Sequence, residues 1–299
     1  MPNRPALTVR LALALTATLL AAQARAADLP APGGLADLQG ARALGLGAAT
    51  GALSGNDGVW TNPASVAARR RYSAETMLAT ERRGGLTTGQ YLVGSVVDAL
   101  TSAVAASVVY AKPLKGNQSG NYFLGGLAGP LSDKFFLGAQ ARYVAIKQTA
   151  ADGAVTKLDV VTADAGVFWE VADYLTVGFS GFNLIPSGHG TILPRNYGGG
   201  LSVGSDTSAK IVADWRADLD RAGKTTNRYG VGTELLLGRL VPVRAGWQRD
   251  EALATSWWSA GIGLVTANGV GLDVGYKQSL KSPEARVIAV ALRMQFLEL

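Results

Sequence analysis

The 299-residue sequence contains no cysteine. This excludes a disulfide framework and thiolate metal ligands. Histidine is nearly absent as well, because His189 is the single one. A metal site built on several histidines is therefore excluded, and a histidine-dependent triad would have to use that one position. We interpret His189 as a solvated loop residue. No close pair of acidic residues lies at a motif for hydrolysis either, so we predict a protein that is not an enzyme and has no catalytic residues, metal or cofactor.

Long apolar runs are also scarce. One run, from Leu11 to Ala22, is shorter than the roughly 20 residues that a membrane-spanning helix needs. Two arginines precede this run, and the small-residue site Ala24-Arg25-Ala26 follows it. This order predicts a signal peptide over residues 1–26 and export of the mature chain.

Excess charge of one sign is small once the predicted signal peptide is removed. The net charge of +6 falls to about +3 when Arg4, Arg10 and Arg25 leave, since the first acidic residue is Asp28. No nucleic-acid partner is predicted. The basic run at 69–71 is interpreted as a contact with the phosphates of outer-membrane lipid at the start of the first strand.

The sequence does have abundant glycine and frequent alternation of apolar with polar residues. It contains 38 glycines, and segments such as 210–218, 241–248 and 269–277 place apolar residues on one parity and polar residues or glycine on the other. This period of two predicts many strands. Alternation alone leaves a soluble sandwich and a membrane barrel open.

The links between the predicted strands favour the barrel. We predict about fourteen strands between residues 71 and 297. Short turns are predicted at 99–101, 131–133, 171–173, 205–206, 238–240 and 267–268, and longer links at 113–119, 148–155, 184–195 and 218–225. Short turns that alternate with longer loops, and an even strand count, are typical of an all-β transmembrane antiparallel β-barrel in the outer membrane.

The two parities of these strands have different predicted surroundings. Large aromatic residues of the apolar parity predict a girdle at the membrane interface, and they are Trp169, Trp215, Tyr229, Trp247, Trp258, Tyr276 and Phe296. Charged residues of the other parity are predicted to face the lumen, and they are Arg142, Asp164, Asp214, Arg216, Glu234, Arg244, Asp273 and Arg293. If 238–240 is a three-residue hairpin, Glu234 lies opposite Arg244 and the two form an ion pair.

The stretch GARALGLGAATGALSGNDGVWTNPASVA, residues 40–67, combines a small-residue run, a polar turn and an Asn-Pro-Ala motif. It resembles the segment that opens mature proteins of the FadL-like outer-membrane transporter superfamily, which includes PorV-like and PorQ-like proteins. PLSDKFFLGAQARYV from Pro130 and RYGVGTELLLGRLVPVRAGW from Arg228 are similar to that family as well, so the resemblance reaches most of the mature chain.

The resemblance implies a barrel over residues 66–299 and an N-terminal hatch, residues 27–65, folded into it. The hatch motif would be Asn62, Pro63 and Ala64. A second interpretation makes Asn62-Pro63 simply a turn into the first strand. The implied location is the outer membrane of a Gram-negative bacterium.

Two functions follow from the resemblance. The first is passive, hatch-gated uptake of small hydrophobic compounds, either fatty-acid-like molecules or hydrocarbons. The second is a PorV-like role as a docking or assembly protein, with a secretion or envelope protein as partner. The longest predicted loop, 184–195, is short for an entry groove of this family. An apolar lumen would favour uptake, whereas a polar, ion-paired lumen would favour docking, and the predicted lumen parity is polar.

Overall fold

The computed structural model describes residues 34–297 except 151, 222 and 267. Residues 1–33, which include the predicted signal peptide and the first residues of the predicted hatch, lie outside the described residues. No helix in the described part of the chain is long and apolar enough to cross a membrane, a finding that does not bear on strands.

Four short helices precede the strands in the described part of the chain. The two 3-10 helices are Gly34–Asp37 and Pro63–Ala67, and the two α-helices are Ala41–Gly45 and Gly58–Thr61. The strands are β1 Arg71–Arg83, β2 Leu86–Asp98, β3 Ala105–Gly116, β4 Gln118–Ser132, β5 Phe135–Thr149, β6 Val155–Ala172, β7 Leu175–Phe182, β8 Asn196–Gly204, β9 Ala209–Asp218, β10 Thr226–Leu237, β11 Val241–Asp250, β12 Thr255–Val265, β13 Val270–Ser279 and β14 Arg286–Leu297.

These strands form one closed antiparallel barrel. Each strand pairs with its neighbours along the chain, and β1 closes the sheet by pairing with β14 from Arg71↔Leu297 to Arg82↔Arg286. Closure gives every strand two partners and leaves no free sheet edge. The predicted barrel of about fourteen strands is confirmed.

The outward face of the barrel is apolar. Along β13, for example, Val270 and Leu272 are exposed, whereas Asp273 between the apolar positions is buried. Exposed aromatic residues lie near both ends of the barrel. Trp169 and Phe296 lie near the end at which β1 begins and β14 ends. The aromatic residues near the opposite end are Trp215, Tyr229, Trp247 and Trp258. An apolar outer band between aromatic girdles identifies an outer-membrane-type transmembrane barrel. Tyr276 is half-buried and packs on Trp258 at 5.3 Å between ring centroids.

The two ends of the barrel are called proximal and distal, according to the residues that lie there. Arg71 and Leu297 lie at the proximal end, and the links 183–195, 219–225 and 280–285 lie at the distal end. The alternation of short and long links is less regular than predicted. The proximal link 99–104 is longer than the predicted turn, and the predicted loop 113–119 is largely strand, with Asn117 alone between β3 and β4.

The pairing of β3 and β4 explains why the predicted loop is strand. These two strands pair with each other only from Ala105↔Ala128 to Ala111↔Tyr122. Beyond that point residues 112–116 pair with β2, and residues 118–121 pair with β5. Each segment therefore keeps backbone hydrogen bonds through its outer neighbour, although its sequence is polar and rich in glycine.

Residues 34–68, called the N-terminal segment below, lie inside the barrel. The backbone of this segment touches buried-face glycines on well-separated strands: Gly138 of β5, Gly178 of β7 and Gly275 of β13. Leu137 and Phe179, which neighbour Gly138 and Gly178 on the other parity, are exposed. The helix Pro63–Ala67 runs across residue 65, where the hatch is predicted to end, and β1 begins at Arg71.

Candidate functional site

Glycines on the inward face of the barrel make room for the backbone of the N-terminal segment. A Cβ added to Gly138 would lie 2.5 Å from the backbone nitrogen of Ala64, and one added to Gly178 would overlap the carbonyl oxygen of Gly51. The same relation holds at other inward positions, and these are Gly230, Gly232, Gly246 and Gly275. Glycine is required there because two backbones approach closely.

Asn62 ties the N-terminal segment both to itself and to the wall. Its side chain is fully buried. Its amide nitrogen donates to the carbonyl oxygens of Gly51 and Val167, each at 2.9 Å, and its side-chain oxygen accepts from the backbone N–H of Ala64 at 3.1 Å. Pro63 starts the following 3-10 helix, where its missing N–H costs nothing. The Asn-Pro-Ala motif is therefore both a helix cap and an anchor to β6.

Asp214 holds a second point of the N-terminal segment. One oxygen of its carboxylate accepts from the backbone N–H groups of Thr50 at 3.0 Å and Gly51 at 2.8 Å. Nearby, the hydroxyl of Thr176 donates to the carbonyl of Ala52 at 2.6 Å. These bonds satisfy backbone groups that would otherwise be unpaired inside the barrel.

An ion-pair chain crosses the proximal half of the lumen. Glu234 bonds Arg42 of the N-terminal segment at 2.8 Å and Arg244 at 2.6 Å. Arg244 continues to Asp273 at 2.5 Å, and Asp273 contacts Arg293 at 3.4 Å. The predicted Glu234–Arg244 pair is present, with the register that the three-residue hairpin dictates. The chain links four strands and the N-terminal segment through charge-assisted hydrogen bonds.

A separate cluster surrounds Arg142. Its guanidinium bonds Asp164 at 2.5 Å and the hydroxyl of Tyr122, and it lies over the Tyr122 ring at 5.5 Å from the centroid. Gln140 donates both to Asp164 at 2.6 Å and to the carbonyl of Val59 at 3.2 Å. The wall is thereby bonded to the second α-helix of the N-terminal segment.

At the distal end the N-terminal segment is held by acidic and basic partners. Asp37 bonds Arg221 at 2.7 Å and Arg228 at 2.8 Å. Burial by itself raises the pKa of Asp37, but the two guanidiniums hold its pKa well below the usual value. At Asp57 burial has the largest effect, and it raises the pKa of this carboxyl. Asp37 is therefore ionised when buried, and its charge is neutralised locally.

The basic run at 69–71 does not form one lipid-facing patch. Arg71 points inward and is 4% exposed, whereas Arg69 pairs with Glu170 and Arg70 donates to the carbonyl of Ser102 at the proximal rim. The prediction of a phosphate contact is therefore wrong for Arg71. The reason is parity, because Arg71 is paired with the last residue of β14 and shares the inward face with Ser73.

Small cavities lie beside the N-terminal segment in the described part of the chain. Two interior cavities of about 30 Å³ and about 20 Å³ share Gln39, Thr61, Arg216 and Arg228 in their walls. Each has room for one or two water molecules. A polar and ion-paired interior is the arrangement expected to favour the docking role.

A larger apolar groove of about 790 Å³ lies on the outward face. It is lined by small residues, among them Ala139, Ala165 and Gly181, and by the aromatic residues Phe179 and Tyr197. Gly138 and Gly166 also line the groove, and the Asn-Pro-Ala motif lies directly behind them on the inward side. The wall is therefore only one backbone thick between the groove and Asn62, Pro63 and Ala64.

Several residues of the site were not predicted from the sequence. Arg42, Lys210 and Glu75 join the ion-pair chain. Asp37, Arg221 and Arg228 form the distal contacts. Strand parity could have identified Glu75 and Lys210, because both lie on inward-facing positions. No local pattern marks Arg42, which meets Glu234 across 192 residues of sequence.

Comparison with known proteins gives a likeness in structure but none in sequence. No family model and no curated protein matches the chain. The solved toluene transporter TbuX of Ralstonia pickettii is 11% identical, covers 88% of this chain and 99% of its own, and has a TM-score of 0.66. The CymD monoaromatic hydrocarbon channel is 13% identical, covers 89% of this chain and 99% of its own, and has a TM-score of 0.67.

A Pseudomonas aeruginosa FadL homologue is 13% identical, covers 88% of this chain and 98% of its own, and has a TM-score of 0.63. The chain has the FadL-type barrel fold. At these identities the likeness concerns the fold alone. The predicted similarity to FadL-type barrels is therefore confirmed at the level of architecture, and the similarity to PorV-like proteins stays a prediction.

Proposed function

We propose that this FadL-type barrel mediates passive uptake of small hydrophobic compounds across the outer membrane, with the N-terminal segment as a hatch. The observation that carries the proposal is the closeness of the hatch motif to the apolar outer groove. Behind Gly138 and Gly166 the wall contributes no side chain, so a movement of Asn62, Pro63 and Ala64 changes the packing of the wall itself.

The likeness to TbuX and CymD supports the substrate class. The names of those proteins refer to toluene and to monoaromatic hydrocarbons. Compounds of this kind partition into apolar surroundings, and the groove is lined mainly by apolar side chains. Its volume lies in the range of roughly 300–1,000 Å³ that is usual for ligand pockets.

In the proposed cycle the N-terminal segment shifts, since the two interior cavities beside it have room only for water-sized particles. The chain without cysteine allows a direct test. Asn56 of the segment donates to the hydroxyl of Ser73 on β1 at 2.7 Å. In the variant Asn56→Cys/Ser73→Cys a disulfide between the two positions would tie the segment to the wall.

The experiment measures uptake of labelled toluene by cells that carry the double-cysteine variant. Oxidation should lower the uptake rate at least several-fold, and reduction should restore it. The single variants Asn56→Cys and Ser73→Cys, treated with the same oxidant, are the controls. Equal uptake in the oxidised and reduced double variant, with the disulfide verified by mass spectrometry, would contradict gating by the segment.

A docking or assembly role is the second candidate, and the ion-paired interior favours it. A barrel whose lumen is closed by Arg42, Glu234, Arg244 and Asp273 has a rigid frame suited to presenting its rims to a partner. Cells that lack the whole protein distinguish the two functions. Loss of the whole protein that leaves toluene uptake unchanged, while a secreted or envelope protein is mislocalised, would replace uptake by docking.

A further inference from the structure

The strongest observation outside the proposed route concerns Arg216 of β9. Its guanidinium lies over the ring of Phe182, 4.7 Å from the centroid. Its neighbours Arg142, Arg221 and Arg228 each have a carboxylate within 4.0 Å. Among the described residues, no carboxylate forms such an ion pair with Arg216.

Arg216 cannot relieve this situation by losing its proton, because guanidinium stays charged in proteins. A charge held in the interior of a barrel is costly unless it is paired or solvated. The stacking on Phe182 supplies part of the stabilisation, since a cation is attracted to an aromatic face. It leaves the N–H groups of the guanidinium plane in need of acceptors.

The cavities show where such an acceptor fits. Arg216 lines both of them, and the smaller, of about 20 Å³, also has Arg142, Arg221 and Arg228 in its wall. The one carboxylate lining this cavity, Asp37, already bonds both Arg221 and Arg228. In the larger cavity Asp214 is present, but one of its oxygens is used by the backbone of Thr50 and Gly51.

We propose that Arg216 and the smaller cavity form a binding site for a small monovalent anion of the size of chloride. Asp37, Asp164 and Asp218 pair with Arg142, Arg221 and Arg228, which leaves Arg216 as the guanidinium in the wall of this cavity without an ion pair among the described residues. Its volume admits a particle of the size of water and excludes an organic acid. The site is independent of the proposed uptake of hydrophobic compounds, so either can fail without the other.

The direct test is anomalous diffraction from crystals of the full mature protein grown with bromide in place of chloride. We expect a bromide peak within about 4 Å of the Arg216 guanidinium, at charge-assisted hydrogen-bond range. A map with bromide at other sites but none at Arg216 would overturn the proposal.

A solution measurement decides whether a crystal peak is only an adventitious ion. Thermal midpoints of the detergent-solubilised protein are compared in sodium chloride and in sodium gluconate at equal ionic strength, with one heating rate throughout. We expect chloride to raise the midpoint by about 2 °C through binding to the folded state. Equal midpoints in the two salts would overturn the proposal even if the crystal shows bromide.

Variants assign the effect to Arg216. The chloride-dependent shift should vanish in Arg216→Gln and should be retained at least in part in Arg216→Lys. Lys224 is an exposed basic residue of the distal link 219–225, so Lys224→Gln is the matched control for loss of one positive charge. If Arg216→Gln does not fold, the bromide map of the unaltered protein still decides. A shift that persists in folded Arg216→Gln would refute the assignment.

Discussion

Glu234 lies directly opposite Arg244 on the hairpin β10–β11, and its carboxylate accepts from the guanidinium at 2.6 Å. Glu234 also contacts Lys210 at 3.3 Å and Arg42 at 2.8 Å. One carboxylate thus serves three cations from two strands and the N-terminal segment. Glu234 is therefore the acidic residue that these cations share in the proximal half of the lumen.

The first prediction follows from the number of partners, because Glu234 serves three cations. Glu234→Ala should destabilise the barrel by roughly 3–5 kcal/mol, because it leaves three buried cations without their shared partner. Arg244→Ala should cost less, since Asp273 keeps Arg293 and Glu234 keeps Arg42 and Lys210. The measurement is denaturant unfolding in detergent micelles for both single variants and the double variant. Strictly additive losses would show that the two side chains are not coupled.

The second prediction concerns the glycines behind the N-terminal segment. Gly178→Ala should lower stability by about 1–3 kcal/mol, because its Cβ would overlap the carbonyl oxygen of Gly51. Gly94→Ala is the matched control, since Gly94 is a strand glycine with nothing within 4 Å of an added Cβ. It should be neutral or stabilising by up to about 1 kcal/mol. Equal effects of the two substitutions would mean that the segment does not press on the wall.

The third prediction tests the hatch motif. Asn62→Ala removes hydrogen bonds to Gly51 and Val167 and the cap on Ala64. Each carbonyl left buried without a partner costs about 1–3 kcal/mol. The segment should loosen, and conductance for small ions in planar bilayers should rise above that of the unaltered protein. Asn268→Ala, at an exposed proximal turn, is the control. Unchanged conductance in folded Asn62→Ala would limit the motif to a structural turn.

The fourth prediction is that deletion of residues 40–60 leaves a barrel that folds and inserts. The hydrogen bonds of the wall run between strands and do not need the segment. Gln39 and Thr61, which the deletion joins, line the same two cavities. The deleted form should migrate faster unheated than boiled on a detergent gel and should conduct more than the full chain. A folded, inserted deletion with unchanged conductance would show that the segment does not occlude the lumen.

The sequence by itself determined the class of the molecule and one of its contacts. Alternation with a period of two indicated strands, because side chains of a strand point to opposite faces. The hairpin register of Glu234 and Arg244 could be predicted as well, since the turn 238–240 is local and fixes which residues face each other. The outward parity of Trp215 and Trp247 followed from the same rule.

Only the tertiary structure decided how the interior is filled. The link between β3 and β4 is strand because its residues pair with β2 and β5, which a local pattern cannot show. Gly138 and Gly178 look like ordinary strand glycines until the backbone of the N-terminal segment is seen against them. Arg216 resembles every other inward charge in the sequence, and its lack of a carboxylate partner depends on where side chains from distant strands end in space.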